Sequence, residues 1–184
     1  MLKSLFIVLA VILFTSVTIA QDRYYTKSGR IQFYSKAELE DIEASNKTAG
    51  VLLDVKTGSL QFSVLMKSFE FEKALMQEHF NSDYVESDKY PKAEFKGTIT
   101  NNSSIDYKKD GTYPAKVSGQ LTIHNVTKTV ETTGTIKIEG GKPEIISSFT
   151  INLSDYNIKV PAIVKDKVSK TIKIMVDCKL EIYP

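Results

Sequence analysis

The sequence predicts an all-β protein, an extended antiparallel barrel of about eight strands. Apolar residues recur at every second position over long stretches, most clearly in Ile172–Ile182 and Tyr113–Ile123. Turn signals such as Lys56-Thr57-Gly58 and Gly140-Gly141 separate these stretches. Because successive side chains of a strand point to opposite faces, each strand has one apolar face, and the set must close or stack to bury it.

Residues 1–20 are predicted to form a secretory signal peptide rather than part of the fold. Lys3 gives a short positive region, Leu5–Val17 is almost wholly apolar, and Thr18-Ile19-Ala20 has small residues at the two positions that a signal peptidase recognises. The apolar run is too short for a stable membrane anchor, so we expect no transmembrane segment after cleavage. The sequence thus predicts a single domain over residues 21–184 that is periplasmic or secreted.

The first half of the domain is expected to begin with a strand at Gly29–Tyr34. A polar stretch, Ser35–Thr48, follows and is expected to hold a short strand and a loop. A tight hairpin then joins strands at Gly50–Val55 and Ser59–Met66, since Gly58 closes the turn between them.

One short helix is predicted near residues 69–80, where good helix formers cluster. Phe71, Leu75, Met76 and Phe80 form an apolar stripe at helical spacing. The segment is too short to be stable alone, so it must pack against the sheet.

The second half continues the alternation. Tyr90-Pro91 starts a strand, and the Thr112–Ile123 strand turns at His124-Asn125 and returns through Val130–Ile138. After Gly140-Gly141 further strands are expected, the last of them over Ser169–Tyr183. Eight strands close into a barrel whose interior either fills with side chains or holds one small ligand.

The residues give no indication of a catalytic site, a metal site or a cofactor site. His79 and His124 are far apart and lack partners at ligand spacing, and no nucleophile elbow or phosphate loop is present. The formal net charge of +2 gives no basic patch for nucleic acid. Cys178 lies on the apolar face of the last strand, where an inert buried thiol is expected. The protein is therefore predicted not to be an enzyme.

Two stretches carry a recognisable order of residues. The first runs from Phe69-Glu70-Phe71 through Glu78-His79-Phe80-Asn81 to Lys89-Tyr90-Pro91-Lys92-Ala93-Glu94-Phe95-Lys96-Gly97. The second is Val117-Ser118-Gly119-Gln120-Leu121-Thr122-Ile123-His124-Asn125-Val126-Thr127-Lys128. In this order the chain resembles the YceI-like family of bacterial exported proteins over about Gly29 to Ile182.

The chain departs from the family pattern at two places. Asn125 stands where the family usually has glycine after the histidine, and asparagine tolerates positive φ. Leu153-Ser154-Asp155-Tyr156-Asn157-Ile158 lacks the basic residue and the glycine that the family often has there, so no head-group contact is inferred from that position.

The resemblance implies a lipocalin-like barrel in the periplasm, with an elongated apolar pocket for a polyisoprenoid or another long-chain amphiphile such as a quinone. The alternative is a non-catalytic structural or interaction protein of the envelope whose barrel is filled. A homodimer is a further possibility.

Gly97, Gly119 and Gly134, on the inward face, either permit curvature or leave room inside. The residues expected to line the cavity are Phe33, Leu60, Phe62, Val64, Phe71, Leu75, Met76, Phe80, Phe95, Gly119, Leu121, Phe149, Ile151 and Ile174.

Overall fold

The computed structural model describes residues 22–184, so the predicted signal peptide lies outside the described residues. Strands dominate it. They are β1 (Arg23–Lys36), β2 (Asp41–Asp54), β3 (Ser59–Leu65), β4 (Glu70–Phe71), β5 (Lys92–Ile99), β6 (Gly111–Ile123), β7 (Val126–Glu139), β8 (Lys142–Asn152), β9 (Thr171–Lys179) and β10 (Glu181–Ile182). The helical segments are a 3-10 turn Met66–Ser68, helix α1 (Ala74–His79), a π-helical turn Phe80–Tyr84, and 3-10 turns at Asn102–Ser104, Leu153–Tyr156 and Ala162–Val164.

The sheet is a closed antiparallel barrel, as the alternation predicts. Its hydrogen-bonded order is β1-β9-β8-β7-β6-β5-β3-β2, and β2 pairs with β1 to complete the ring of eight strands. Phe33 shows the closure, since it pairs with Ala44 of β2 on one side and Ile174 of β9 on the other. The short β4 pairs with β2 at Ala44 and Ser45, and the short β10 pairs with β1 at Tyr24 and Tyr25.

The first two strands are longer than predicted. β1 continues to Lys36 and β2 begins at Asp41, so most of the polar stretch 35–48 is strand. The alternation of apolar and polar residues does not reveal this strand, because a polar residue, Asn46, occupies a fully buried position. Its side-chain amide donates to the Leu65 carbonyl at 2.9 Å and its oxygen accepts from the Thr48 backbone amide at 2.8 Å, so this polar residue is satisfied inside the protein.

The turn between β6 and β7 is a two-residue hairpin. His124 and Asn125 have φ values of 50° and 59°, between the paired Ile123 and Val126. Positive φ at both central residues matches the twist of the flanking strands. Asn125 therefore does at this turn what glycine would do.

The helix is shorter than the predicted segment 69–80. Phe69 and Phe71 lie in extended backbone around β4, and α1 begins only at Ala74 and passes directly into the π-helical turn Phe80–Tyr84. The two phenylalanines pack into the barrel instead of onto a helix face, so tertiary packing overrides the helix propensity of this stretch.

The two ends of the barrel differ in their filling. At the packed end, which carries the turns at 55–58 and 140–141, a set of large side chains is almost completely buried. They are Leu53, Ile99, Ile136, Ile138 and Leu180. At the open end, two long connections, 66–91 and 153–170, lie over the strand ends. The interior below them is not filled.

Candidate functional site

A cavity of about 570 Å³ occupies the open half of the barrel. It reaches from Ile145 and Val176, near the packed end, to α1 and the 3-10 turn Ala162–Val164. Its walls are inward-facing residues of the strands, so the period-2 pattern of the sequence directly produces the apolar lining. The barrel is thus filled at one end and hollow at the other. The volume is that of a pocket for one small organic molecule.

The structure brings almost all of the predicted cavity residues together. Every one of them except Gly119 lies in the cavity wall. Phe33 comes from β1; Leu60, Phe62 and Val64 from β3; Phe95 from β5; Leu121 from β6; Phe149 and Ile151 from β8; Ile174 from β9; and Phe71, Leu75, Met76 and Phe80 from the segment around α1. That these side chains bind a ligand stays a prediction.

Gly119 is a correction, because no free volume lies beside it. A Cβ atom on Gly119 would lie 2.5 Å from the Cα of Gly97, its partner across the β5–β6 pair, and 2.7 Å from Cζ of Phe95. The ring of Phe95 thus covers the two facing glycines. At Gly134 an added Cβ would lie 2.6 Å from the Ile146 carbonyl oxygen. These glycines permit close packing of backbone and ring, not room for a ligand.

The deep part of the cavity offers a ligand little hydrogen bonding. Two hydroxyls lie there, those of Thr132 and Ser147. Both donate to the backbone carbonyl of Thr133, at 3.3 Å and 2.8 Å. Since these hydrogens are already used by the barrel, the two hydroxyls offer no free donor to a ligand, and the rest of the surface at this depth is apolar.

Four phenyl rings form an aromatic cluster under α1. Phe33 of β1 contacts Phe69, Phe71 and Phe80, with ring centroids 5.2, 5.7 and 5.5 Å away. Phe71 and Phe80 are 5.1 Å apart. Each such pair adds about 0.5–1.5 kcal/mol beyond the burial of its area. The cluster holds the short helix on the barrel and forms one wall near the cavity entrance.

The ionisable residues of the cavity lining lie towards the open end. They are Glu40 of the β1–β2 connection, Lys73 and His79 at the ends of α1, Glu94 near the start of β5, and Lys167 of the β8–β9 connection. Lys73 Nζ donates to Glu40 Oε1 at 2.8 Å. This hydrogen bond lowers the pKa of Glu40 and raises the pKa of Lys73, so both stay charged at neutral pH. We call the opening, together with the surrounding connections 37–40, 66–91 and 153–170, the mouth.

Other residues line the cavity besides the predicted set, and the sequence pattern could have identified only some of them. Ile31, Val117 and Val130 line the cavity and follow the same alternation as the predicted residues, so periodicity could have identified them. Val164 and Val168 also line it, but they lie in irregular backbone where no period marks an inward face.

The family profile of the YceI-like domain matches residues 23–180. The chain belongs to the YceI-like family. Among curated relatives of this YceI-like chain are UPF0312 proteins of Pseudomonas putida strains W619 and GB-1, each 29% identical over 137 residues. The match covers 71% of this chain and 64% of each relative, so the chain spans less than two thirds of their length.

Solved structures share the YceI-like barrel. A polyisoprenoid binding domain from Saccharophagus degradans aligns with a TM-score of 0.77 at 11% identity, over 89% of this chain and 99% of that domain. Burkholderia cenocepacia BcnA aligns with a TM-score of 0.67 at 20% identity, over 83% and 96% of the two chains. At these identities the likeness establishes the fold alone.

In this YceI-like chain, His124 of the β6–β7 turn connects several segments at the open end. Its Nε2 lies 2.6 Å from Glu86 Oε2 and its Nδ1 lies 3.2 Å from the Tyr156 carbonyl oxygen. The ring of Tyr90 packs edge-on against it at 4.6 Å. His124 thus joins the β6–β7 turn to both long connections. Glu86 is 38 residues away along the chain, so no sequence spacing indicated this contact.

Within residues 22–184, no group of three or more histidine, cysteine, aspartate or glutamate side chains is placed to hold a metal ion. In the same part of the chain, no helix has both the length and the apolar character needed to cross a membrane.

Proposed function

We propose that this protein binds one long-chain amphiphile, of the polyisoprenoid or quinone-like class, with its hydrocarbon part inside the barrel. The observation that carries the proposal is the distribution of polarity along the cavity. Its deep wall is apolar and its hydroxyls are satisfied, whereas the Glu40–Lys73 pair lies at the mouth. Such a cavity fits a molecule with a hydrocarbon chain and one polar end.

The energetics support a chain of this kind. A heavy atom with its hydrogens needs on the order of 30 Å³, like a water molecule, so a cavity of about 570 Å³ holds roughly twenty of them. Each buried methylene contributes about 0.8 kcal/mol. Ten buried carbons contribute about 8 kcal/mol and twenty about 16 kcal/mol, against about 4–15 kcal/mol for association, so useful affinity requires a chain that fills most of the cavity.

The polyisoprenoid class is also the one named for the Saccharophagus degradans domain that shares this fold. Since that domain is only 11% identical, the ligand class is part of the proposal rather than a consequence of the match. We further propose that the protein acts outside the cytoplasm, in the periplasm or after secretion, because residues 1–20 have the pattern of a signal peptide.

The decisive experiment is organic extraction of the purified protein followed by mass spectrometry. We expect a stoichiometric long-chain lipid in the extract of the wild type. Val130→Phe places a ring in the cavity wall and should reduce the extracted lipid several-fold. Glu131→Phe, on the exposed outer face one position along the same strand, should leave the lipid content unchanged.

Thermal unfolding of both variants shows whether the barrel is intact. A folded Val130→Phe protein that lacks lipid supports binding in the cavity. A wild-type extract without any long-chain lipid, from a host that makes such lipids, contradicts the proposal and favours a structural or interaction role for the barrel.

A further inference from the structure

The β8–β9 connection exposes an apolar side chain next to the mouth. Residues 157–170, here called the mouth loop, include the sequence Val160-Pro161-Ala162-Ile163-Val164. Ile163 is 92% exposed, although Val164 beside it lines the cavity. A large aliphatic side chain in this position gains nothing from folding, and it points to an interaction only if other exposed apolar side chains lie around the same opening.

Two further exposed leucines lie on segments joined to the mouth loop. Leu39 is 69% exposed, and its backbone amide donates to the Asp166 carbonyl of the mouth loop at 2.9 Å. Leu75 of α1 is 61% exposed, and α1 is linked to the β1–β2 connection through the Lys73–Glu40 ion pair. The three apolar side chains therefore come from three connected segments around one opening.

The mouth loop is also basic. It contains Lys159, Lys165, Lys167 and Lys170 against a single acid, Asp166. The long connection at the packed end, residues 100–110, is different, since two lysines there are balanced by two aspartates. Its large aliphatic residue, Ile105, is buried at 7% exposure. Exposed apolar surface and excess positive charge thus occur together on the mouth loop alone among the long connections, because the connection 66–91 at the same end has three lysines against six acidic residues.

We propose that the mouth loop docks the protein on an anionic lipid bilayer, with Ile163 in the interfacial region and the lysines against the head groups. Membrane binding of this kind needs two signals, an apolar anchor and a basic patch, and the loop carries both. The purpose follows from the proposed lipid binding: a chain that leaves the cavity through water exposes every methylene, whereas a docked mouth opens onto hydrocarbon.

The test is flotation of the purified protein with vesicles of phosphatidylcholine alone or with about 30 mol% phosphatidylglycerol. We expect binding to the anionic vesicles that exceeds binding to the neutral ones and falls at high salt, which screens the lysines. Ile163→Ser should weaken the partition coefficient about tenfold, as loss of one buried aliphatic side chain. Lys159→Gln with Lys165→Gln should weaken it about fivefold per lysine.

Matched controls lie far from the mouth. Ile146→Ser removes another exposed aliphatic side chain, 42% exposed on β8, and Lys108→Gln with Lys109→Gln removes two lysines at the packed end. Neither should change vesicle binding. All variants keep the wild-type N-terminus, so any contribution from residues 1–20 is the same in each comparison.

Vesicle binding that is equal for the wild type, Ile163→Ser and the lysine variant overturns the docking proposal, as does a wild type that floats with neither vesicle. These results are separate from the lipid extraction. Lipid in the extract without vesicle binding refutes docking alone. If the wild type binds vesicles and the mouth-loop variants do not, docking is supported even when the extract contains no lipid. The missing lipid would then refute only the proposed ligand.

Discussion

Gly119→Ala should destabilise the barrel, although it adds a single methyl group to an inward-facing position. The three nearest atoms to the new Cβ are Gly97 Cα at 2.5 Å, Lys96 O at 2.6 Å and Phe95 Cζ at 2.7 Å. Two of these atoms belong to the backbone of β5, which is hydrogen-bonded to β6 along this stretch. The clash therefore cannot be relieved by a rotamer change alone.

The expected loss of stability is about 1–3 kcal/mol, the usual cost of overpacking. In a chain of this size the midpoint of thermal unfolding should fall by about 2–4 °C for each kcal/mol. The control is Gly50→Ala in β2, where the new Cβ would meet a single atom within 4 Å, Ser63 O at 3.7 Å. Gly50→Ala should be neutral or stabilise by about 0.4–1 kcal/mol, since alanine restricts the unfolded chain.

Urea and thermal unfolding of the two variants beside the wild type provide the measurement. If Gly119→Ala were as stable as Gly50→Ala, the close approach of β5, β6 and the Phe95 ring would be wrong. Free volume beside Gly119 would then again be a reasonable interpretation.

Four other outcomes are expected. In urea unfolding, Asn125→Gly should be neutral or mildly stabilising. Asn125→Val should cost about 1–2 kcal/mol, because φ is 59° at this position and a β-branched residue is strained there. Equal stability of the glycine and valine variants would contradict this. Burial raises the pKa of the Cys178 thiol to about 12, so the folded protein should not react with a thiol reagent at pH 8 and should do so on unfolding. Since that folded pKa lies above the unfolded value, the associated stability should be lost as pH rises from about 9 towards 12, and Cys178→Ala should remove this part of the pH dependence. N-terminal sequencing of exported protein should begin within a residue or two of Gln21, and an intact Met1 on a membrane-bound product would refute export by cleavage.

The sequence predicts the barrel and most of the residues that line its interior because both depend on period-2 alternation, but it leaves open whether that interior is hollow. Phe62 and Phe149 face inward for the same reason that Lys96 and Lys173 face outward, and no long-range information is needed to decide this. Such strands bury one apolar face by closing into a barrel or by stacking as two sheets, and the pairing of β1 with β2 closes this set. The alternation failed at Asn46, where a polar side chain is inward but satisfied by local hydrogen bonds.

Two features could not be predicted, for different physical reasons. An inward glycine is compatible with a gap or with close contact, and only the distance between Gly97 and Gly119 decides between them. The Glu86–His124 contact depends on where an irregular connection lies, and irregular backbone carries no periodic signal. Sequence patterns therefore locate the walls of this site well and its mouth poorly.

The position of the cavity follows from an asymmetry in the connections between strands. At the packed end, two connections are tight turns, and the long one, residues 100–110, contributes Ile105 to the core. At the open end, residues 66–91 and 153–170 contribute the aromatic cluster and the mouth loop, which cover the opening rather than fill it.

This asymmetry also sets the orientation of a bound amphiphile. A carboxylate or phosphate end placed against Thr132 and Ser147 would lose its hydration without a free donor, because both hydroxyls already donate to the Thr133 carbonyl. At the mouth the same group stays near water and near Glu40, Lys73 and Lys167. Under the proposed function, the hydrocarbon chain therefore points towards the packed end, and the mouth is the side from which we expect it to enter and leave.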